Sequence, residues 1–88
     1  RYGPIEVFVL DHRSYRGPNG PNVQTTLDGA SAMMGPAQLA WLKRALVAST
    51  ATWKVMASSL PIGVVVRDFP SHFEAFANGE PGGPLGRE

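Results

Sequence analysis

The sequence predicts an α/β fold with long Gly/Pro-rich loops, and three stretches predict it. Ile5-Glu6-Val7-Phe8-Val9-Leu10 is β-branched and aromatic with one charge. It reads as a strand over about 5–10, buried on most of both faces as in a parallel sheet. Gly35-Pro36 opens a helix over about 36–48, because proline suits the first helical position. Trp53-Lys54-Val55-Met56-Ala57 then gives a second strand over about 53–58. Strand, helix and strand within roughly fifty residues form a βαβ unit with parallel strands and a right-handed crossover.

The elements follow in order. The first strand ends at Asp11, and Arg13 lies two residues on. In half-extended backbone these two side chains share a face and His12 takes the other. Ligands bind at the C-terminal edge of strands in α/β sheets, so Asp11 sits where a site would lie. The plainer reading is an Asp11–Arg13 ion pair that pins the strand to its loop. Gly17 to Asn22 (GPNGPN) is punctuation, and Asn19-Gly20 suits a turn with positive φ. Val23 to Met34 reads as loop. Thr25, Thr26 and Asp28 show no spacing that makes a site.

In the helix, Leu39, Leu42 and Leu46, with Trp41, Ala45 and Ala48 beside them, form one broad apolar face that belongs to the core. Lys43 and Arg44 lie opposite, in the C-terminal half, where they complement the helix dipole. Ser58-Ser59 ends the second strand on the same rim as Asp11. Two strand ends and one irregular loop therefore converge there. Ile62 to Val66 reads as a short strand or an apolar loop, and Arg67-Asp68 as a charged turn before Pro70. Ser71 to Ala77 is predicted to make about two helical turns that bury Phe73 and Phe76. Asn78 to Gly86 reads as extended. His12 and His72 stand alone, as surface or capping histidines.

Composition narrows the function classes. The 88 residues allow one small domain. The 43% hydrophobic and 17% charged content is that of a globular chain. A net charge of +1 gives no electrostatic support for a nucleic-acid surface or an anionic membrane. No apolar run reaches transmembrane length. With no cysteine, disulfides and thiolate zinc sites are excluded. No nucleophile elbow, phosphate-cradling loop or paired-histidine metal motif is present. The first and last residues read like cuts through a longer protein.

One further signal lies in ordered motifs. Leu10-Asp11-His12-Arg13-Ser14-Tyr15-Arg16 resembles the Leu-Asp-x-Arg-x-Tyr-Arg signature of PhoD-like alkaline phosphatases, which belong to the calcineurin-like metallophosphoesterase superfamily. Gly35, Gln38 and Trp41-Leu42 resemble the family's Gly-x-x-Gln-x-x-Trp-Leu helix, and Trp53-Lys54-Val55 its following strand. Asn78-Gly79 and Pro84-Leu85-Gly86-Arg87-Glu88 resemble the segment after that. The likeness covers nearly all of the chain.

The resemblance implies a central segment, residues 1–88, of a metallophosphoesterase-type β-sandwich flanked by helices. It implies metal-dependent hydrolysis of phosphate mono- or diesters, with iron and calcium as the metals. By position it makes Asp11 and Arg13 catalytic candidates and Asp11 a metal-ligand candidate. Arg13, Tyr15 and Arg16 become candidates for binding the phosphate ester, since arginine recognises phosphate bidentately. The resemblance also implies a periplasmic or secreted location. Two departures stand against it. Ser58-Ser59 occupies a place where relatives often carry Asn, Gln or Asp. The superfamily's Gly-Asp, Gly-Asn-His-Glu and His-x-His metal motifs are absent. The expectation is a segment that binds no metal and has no activity alone, completed by the remainder of a parent chain. Taken in isolation, its open sheet edges predict self-association. The alternative is a non-catalytic small α/β interaction or structural module.

Overall fold

The computed structural model describes residues 1–21, 24–26 and 28–76. The elements are β1 (Ile5–Val9), α1 (Pro36–Ala48), β2 (Trp53–Ala57), β3 (Val66–Phe69) and β4 (His72–Glu74). β1 and β2 pair in parallel, Ile5 opposite Trp53 through Val9 opposite Ala57. The ladder extends by one bond at each end, from the Trp53 N–H to the Pro4 carbonyl (2.9 Å) and from the Leu10 N–H to the Ala57 carbonyl (3.0 Å). The predicted βαβ unit is therefore present, and its strands end on a common rim.

The expectation that β1 is buried on most of both faces does not hold. Only Phe8 is buried, at 3% exposure, whereas Val9 is 71% exposed and all five residues of β2 are exposed. The cause is the size of this sheet: it has two strands among the described residues, and the core that forms gathers around Phe8 alone.

That core joins Phe8, Met33, Met34, Leu42, Leu60 and Phe76, with Leu10, Leu39, Ala45 and Leu46 packed against it. Two of its members lie in the stretch read as a polar loop. Ser31 to Met34 is buried, so the approach to α1 is a core segment without regular structure. It is ordered by Asp28, whose carboxylate accepts the Ala30 N–H (2.9 Å), the Ser31 N–H (3.1 Å) and the Thr26 hydroxyl (3.0 Å).

α1 begins as predicted. Gly35 is the N-cap at φ 81°, Pro36 follows, and no side chain caps the end. Glycine is required twice over here. Its φ lies in the left-handed region, and a Cβ at Gly35 would be driven into the Tyr15 carbonyl. Leu42 is buried and Leu39, Ala45 and Leu46 are half-buried, so this part of the predicted face meets the core, whereas Trp41 and Ala48, expected on the same face, are exposed. Lys43 and Arg44 are exposed but lie before the last turn, which holds no basic residue. Their dipole role is thereby removed, because the effect fades within one turn of the end.

The C-terminal part of the described chain departs from the prediction. Ser71 to Phe76 makes no helix. Instead β3 and β4 form an antiparallel hairpin with an irregularity between Arg67 and Phe69. Phe73 is held in the extended state by its N–H bond to the Gly20 carbonyl (2.8 Å). The predicted burial survives, since Phe76 is buried and Phe73 half-buried. Arg67-Asp68 is not a turn but part of β3: Arg67 lies over the Phe73 ring at 5.6 Å, and Asp68 accepts from Asn19 Nδ2 (2.9 Å). Ile62 to Val65 is loop. Asn19-Gly20 adopts no positive φ, because Gly20 is bridged to Phe73. The readings of Asn78 to Gly86 and of residues 84–88 lie outside the described residues.

Candidate functional site

The rim at the end of β1 carries the signature residues. Residues 12–14 form a turn rather than extended backbone, and Asp11 makes it. Its Oδ1 accepts the Arg13 N–H (2.7 Å) and the Ser14 N–H (2.9 Å). An aspartate capping its own turn in this way competes with regular structure. The expected Asp11–Arg13 ion pair is absent: the carboxylate is engaged with Arg13's backbone, not its guanidinium. The Ser14 N–H foremost, then the Ser14 hydroxyl and the Arg13 N–H, hold the Asp11 carboxyl below its ordinary pKa of 3.8.

Asp11 is fixed from a second side. Gln38 Oε1 accepts the Asp11 N–H (2.7 Å), and Gln38 Nε2 donates to the carbonyls of Asp11 (2.8 Å) and Met34 (2.9 Å). One buried amide thus ties the end of β1, the core segment and α1 together. The helical period could have located it. Gln38 stands four residues before Leu42 and eight before Leu46, so it lies on the buried face despite its polarity.

His12 is not a surface residue. It is 4% exposed, its ring is edge-on to Phe76 with centroids 4.9 Å apart, and Nδ1 lies 3.1 Å from the Ser59 hydroxyl. Nε2 has no hydrogen-bond partner among the described residues. Burial lowers its pKa from 6.5, only partly countered by the Asp11 charge. Ser59 therefore joins the two strand ends, while Ser58 turns its hydroxyl to the Leu60 carbonyl (2.6 Å). His72 is exposed, as expected.

The two arginines of the signature part company. Arg16 is engaged on three sides, pairing with Glu74, bonding the Asn19 side chain and donating to the Gly17 carbonyl. Arg13 is exposed and forms no ion pair among the described residues. Both line a polar cleft of about 410 Å³ with Gly17, Pro18, Asn19 and Glu74. Asp11 and Tyr15 line a different cleft. The structure thus brings Arg13 and Arg16 together and sets Tyr15 apart from them.

Among the described residues no group of three His, Cys, Asp or Glu side chains stands where it could hold a metal ion. Asp11 has no second acid beside it, and its Oδ1 is already shared by two amides. The residues present do not by themselves fit a metal centre. No described helix is long and apolar enough to cross a membrane. Comparison with curated proteins and with solved structures gave no match. The family model described as PhoD-like phosphatase matches residues 1–88, and the chain belongs to that family.

Proposed function

We propose that this chain supplies the anion-facing turn of a metal-dependent phosphoric ester hydrolase acting on phosphate mono- or diesters. The family is one of metal-dependent phosphatases, which gives the reaction class. The observation that carries the assignment within the chain is Arg13. It projects from a turn pinned by Asp11 and Gln38, lines an open polar cleft, and has no carboxylate partner among the described residues. An unpaired guanidinium on a pinned turn suits the charge that builds on phosphorus-bound oxygens in the transition state.

In this reading Arg13 contacts the phosphate. Arg16 is a positioning residue, because Glu74 and Asn19 already hold it. Tyr15 borders the same turn from the neighbouring cleft. Asp11 orders the turn. Iron and calcium, expected from the resemblance, would take their ligands from outside the described residues. The rest of a metallophosphoesterase-type sandwich would cover the faces of β1 and β2. The 88 residues alone would then be inactive and would self-associate through open strand edges. A periplasmic or secreted location fits the same reading.

The test is turnover of p-nitrophenyl phosphate and its bis-ester by the protein at its native length. Arg13→Ala is expected to lower kcat/KM about a hundredfold on the preferred ester while leaving the unfolding midpoint unchanged. Unchanged turnover would remove Arg13 from the site. Turnover by the isolated 88 residues above a metal-only blank would overturn the dependence on the rest of a parent chain.

A further inference from the structure

The polar cleft that carries Arg13 also carries an acid, and the phosphate reading leaves that acid without a task. Arg13, Arg16 and Glu74 are the charged side chains of its lining, beside Gly17, Pro18 and Asn19. The Arg16 guanidinium joins most of these groups. It pairs with Glu74, bonds the Asn19 side chain and donates to the Gly17 carbonyl (3.0 Å). The Glu74 carboxylate therefore stands among the lining groups. Only its Oε1 meets Arg16, and Oε2 has no partner among the described residues. Glu74 is also the more open half of the pair, its side chain 27% exposed against 10% for Arg16. Two guanidinium charges against one carboxylate leave one net positive charge in the lining, and it rests on Arg13. Asp68, which accepts from Asn19 Nδ2 (2.9 Å), puts a second acid next to that wall.

Phosphoryl groups separate on that pattern by their charge. A group with one negative charge is matched by Arg13 alone. A terminal phosphoryl group, with a second pKa of about 6, carries two charges in alkaline solution. Its second charge comes toward a carboxylate that already occupies the second guanidinium. Arg16 reaches it only by giving up Glu74, Asn19 and Gly17. Like charges set close together select by repulsion, without any added attraction for the favoured ligand.

We propose that Glu74 is a specificity-determining residue that makes this cleft discriminate on the charge of the phosphoryl group, holding a singly charged one and loosening its hold on a doubly charged one. The inference rests on the reading of Arg13 as the phosphate contact and deepens it. Inorganic phosphate, the doubly charged product of complete hydrolysis, falls in the rejected class, so Glu74 also limits how strongly the product is retained.

The experiment is calorimetric titration of the protein at its native length, at about pH 9, with inorganic phosphate as the doubly charged probe and dimethyl phosphate as the singly charged one. Glu74→Gln keeps an acceptor oxygen for Arg16 while the negative charge goes. It is expected to tighten phosphate about tenfold and to leave dimethyl phosphate within about twofold; solvent at the half-open carboxylate keeps the factor from being larger. Glu74→Ala is expected to move the two probes in the same way and serves if the glutamine variant does not fold. A merely structural role for Glu74 shifts both probes together. Unchanged phosphate affinity, equal tightening of the two probes, or no saturable phosphate binding in any form of the protein would each overturn the proposal. Arg13→Ala separates the two readings. If it weakens phosphate while Glu74→Gln has no selective effect, the charge filter alone falls. If it leaves phosphate binding as it was, the filter and the phosphate reading fall together.

Discussion

The turn after β1 and the sheet that carries it are held by different physics. In the sheet, β1 and β2 share a ladder of backbone bonds, yet Val9, Trp53 and Met56 face outward and most of the apolar surface is wet. In the turn, almost no apolar area is buried apart from the His12 ring, yet the main chain is pinned by directional bonds. Asp11 alone has its N–H, its carbonyl and its carboxylate engaged. A region rich in strand-forming residues is thus the loosely covered one, and a region rich in polar residues is the defined one. Burial supplies the drive to fold, but directional bonds fix where a loop sits.

Gly35→Ala should break this contrast most severely. It puts a Cβ against the Tyr15 carbonyl at a backbone angle that L-residues avoid, and should cost about 3 kcal/mol or more in urea unfolding. A cost under about 1 kcal/mol would mean that the turn and the helix start are not locked. Gln38→Ala comes next. It removes all three bonds that tie the end of β1 and the core segment to α1, so about 2 kcal/mol is expected from the same measurement.

Ile5 to Leu10, Pro36 to Ala48 and Trp53 to Ala57 announce themselves because their signals are local: β-branching, a Gly-Pro start and a leucine period. The rim followed from parallel topology alone. The burial of His12 did not, since it depends on Phe76 far along the chain. The β3–β4 hairpin was hidden because Arg67-Asp68 resembles a turn until Phe73 and Asn19 arrive to use those charges. The Asp11–Arg13 pairing misled for a related reason. Spacing places two side chains on a face, but a backbone N–H two residues on is a nearer donor for an aspartate than a flexible guanidinium.

Arg16→Ala should cost about 1.5 kcal/mol, since Glu74 and Asn19 lose a largely buried partner, whereas Arg13→Ala should stay within about 0.5 kcal/mol. Equal costs would erase the division between the two arginines. Acid should weaken the turn by way of His12. Burial holds its pKa below 6.5, so the folded state keeps the ring neutral while the unfolded state takes up a proton. The stabilisation is complete above pH 6.5 and declines as pH falls from there toward the lowered value. His12→Phe should flatten that slope in unfolding midpoints measured between pH 7.5 and about pH 5. An unchanged slope would place the titrating group elsewhere.

The Gln38 clasp has a consequence for the conditions under which the turn keeps its shape. Both hydrogen-bonding ends of the amide are uncharged, and both act on one residue. Neither dissolved salt nor protonation weakens that grip, in contrast to the exposed part of the Arg16–Glu74 pair, which a concentrated electrolyte screens. The chain thus places its most charged turn under the control of a neutral side chain. The placement of Arg13 is insulated from swings in ionic strength that would disturb a loop tethered by ion pairs alone.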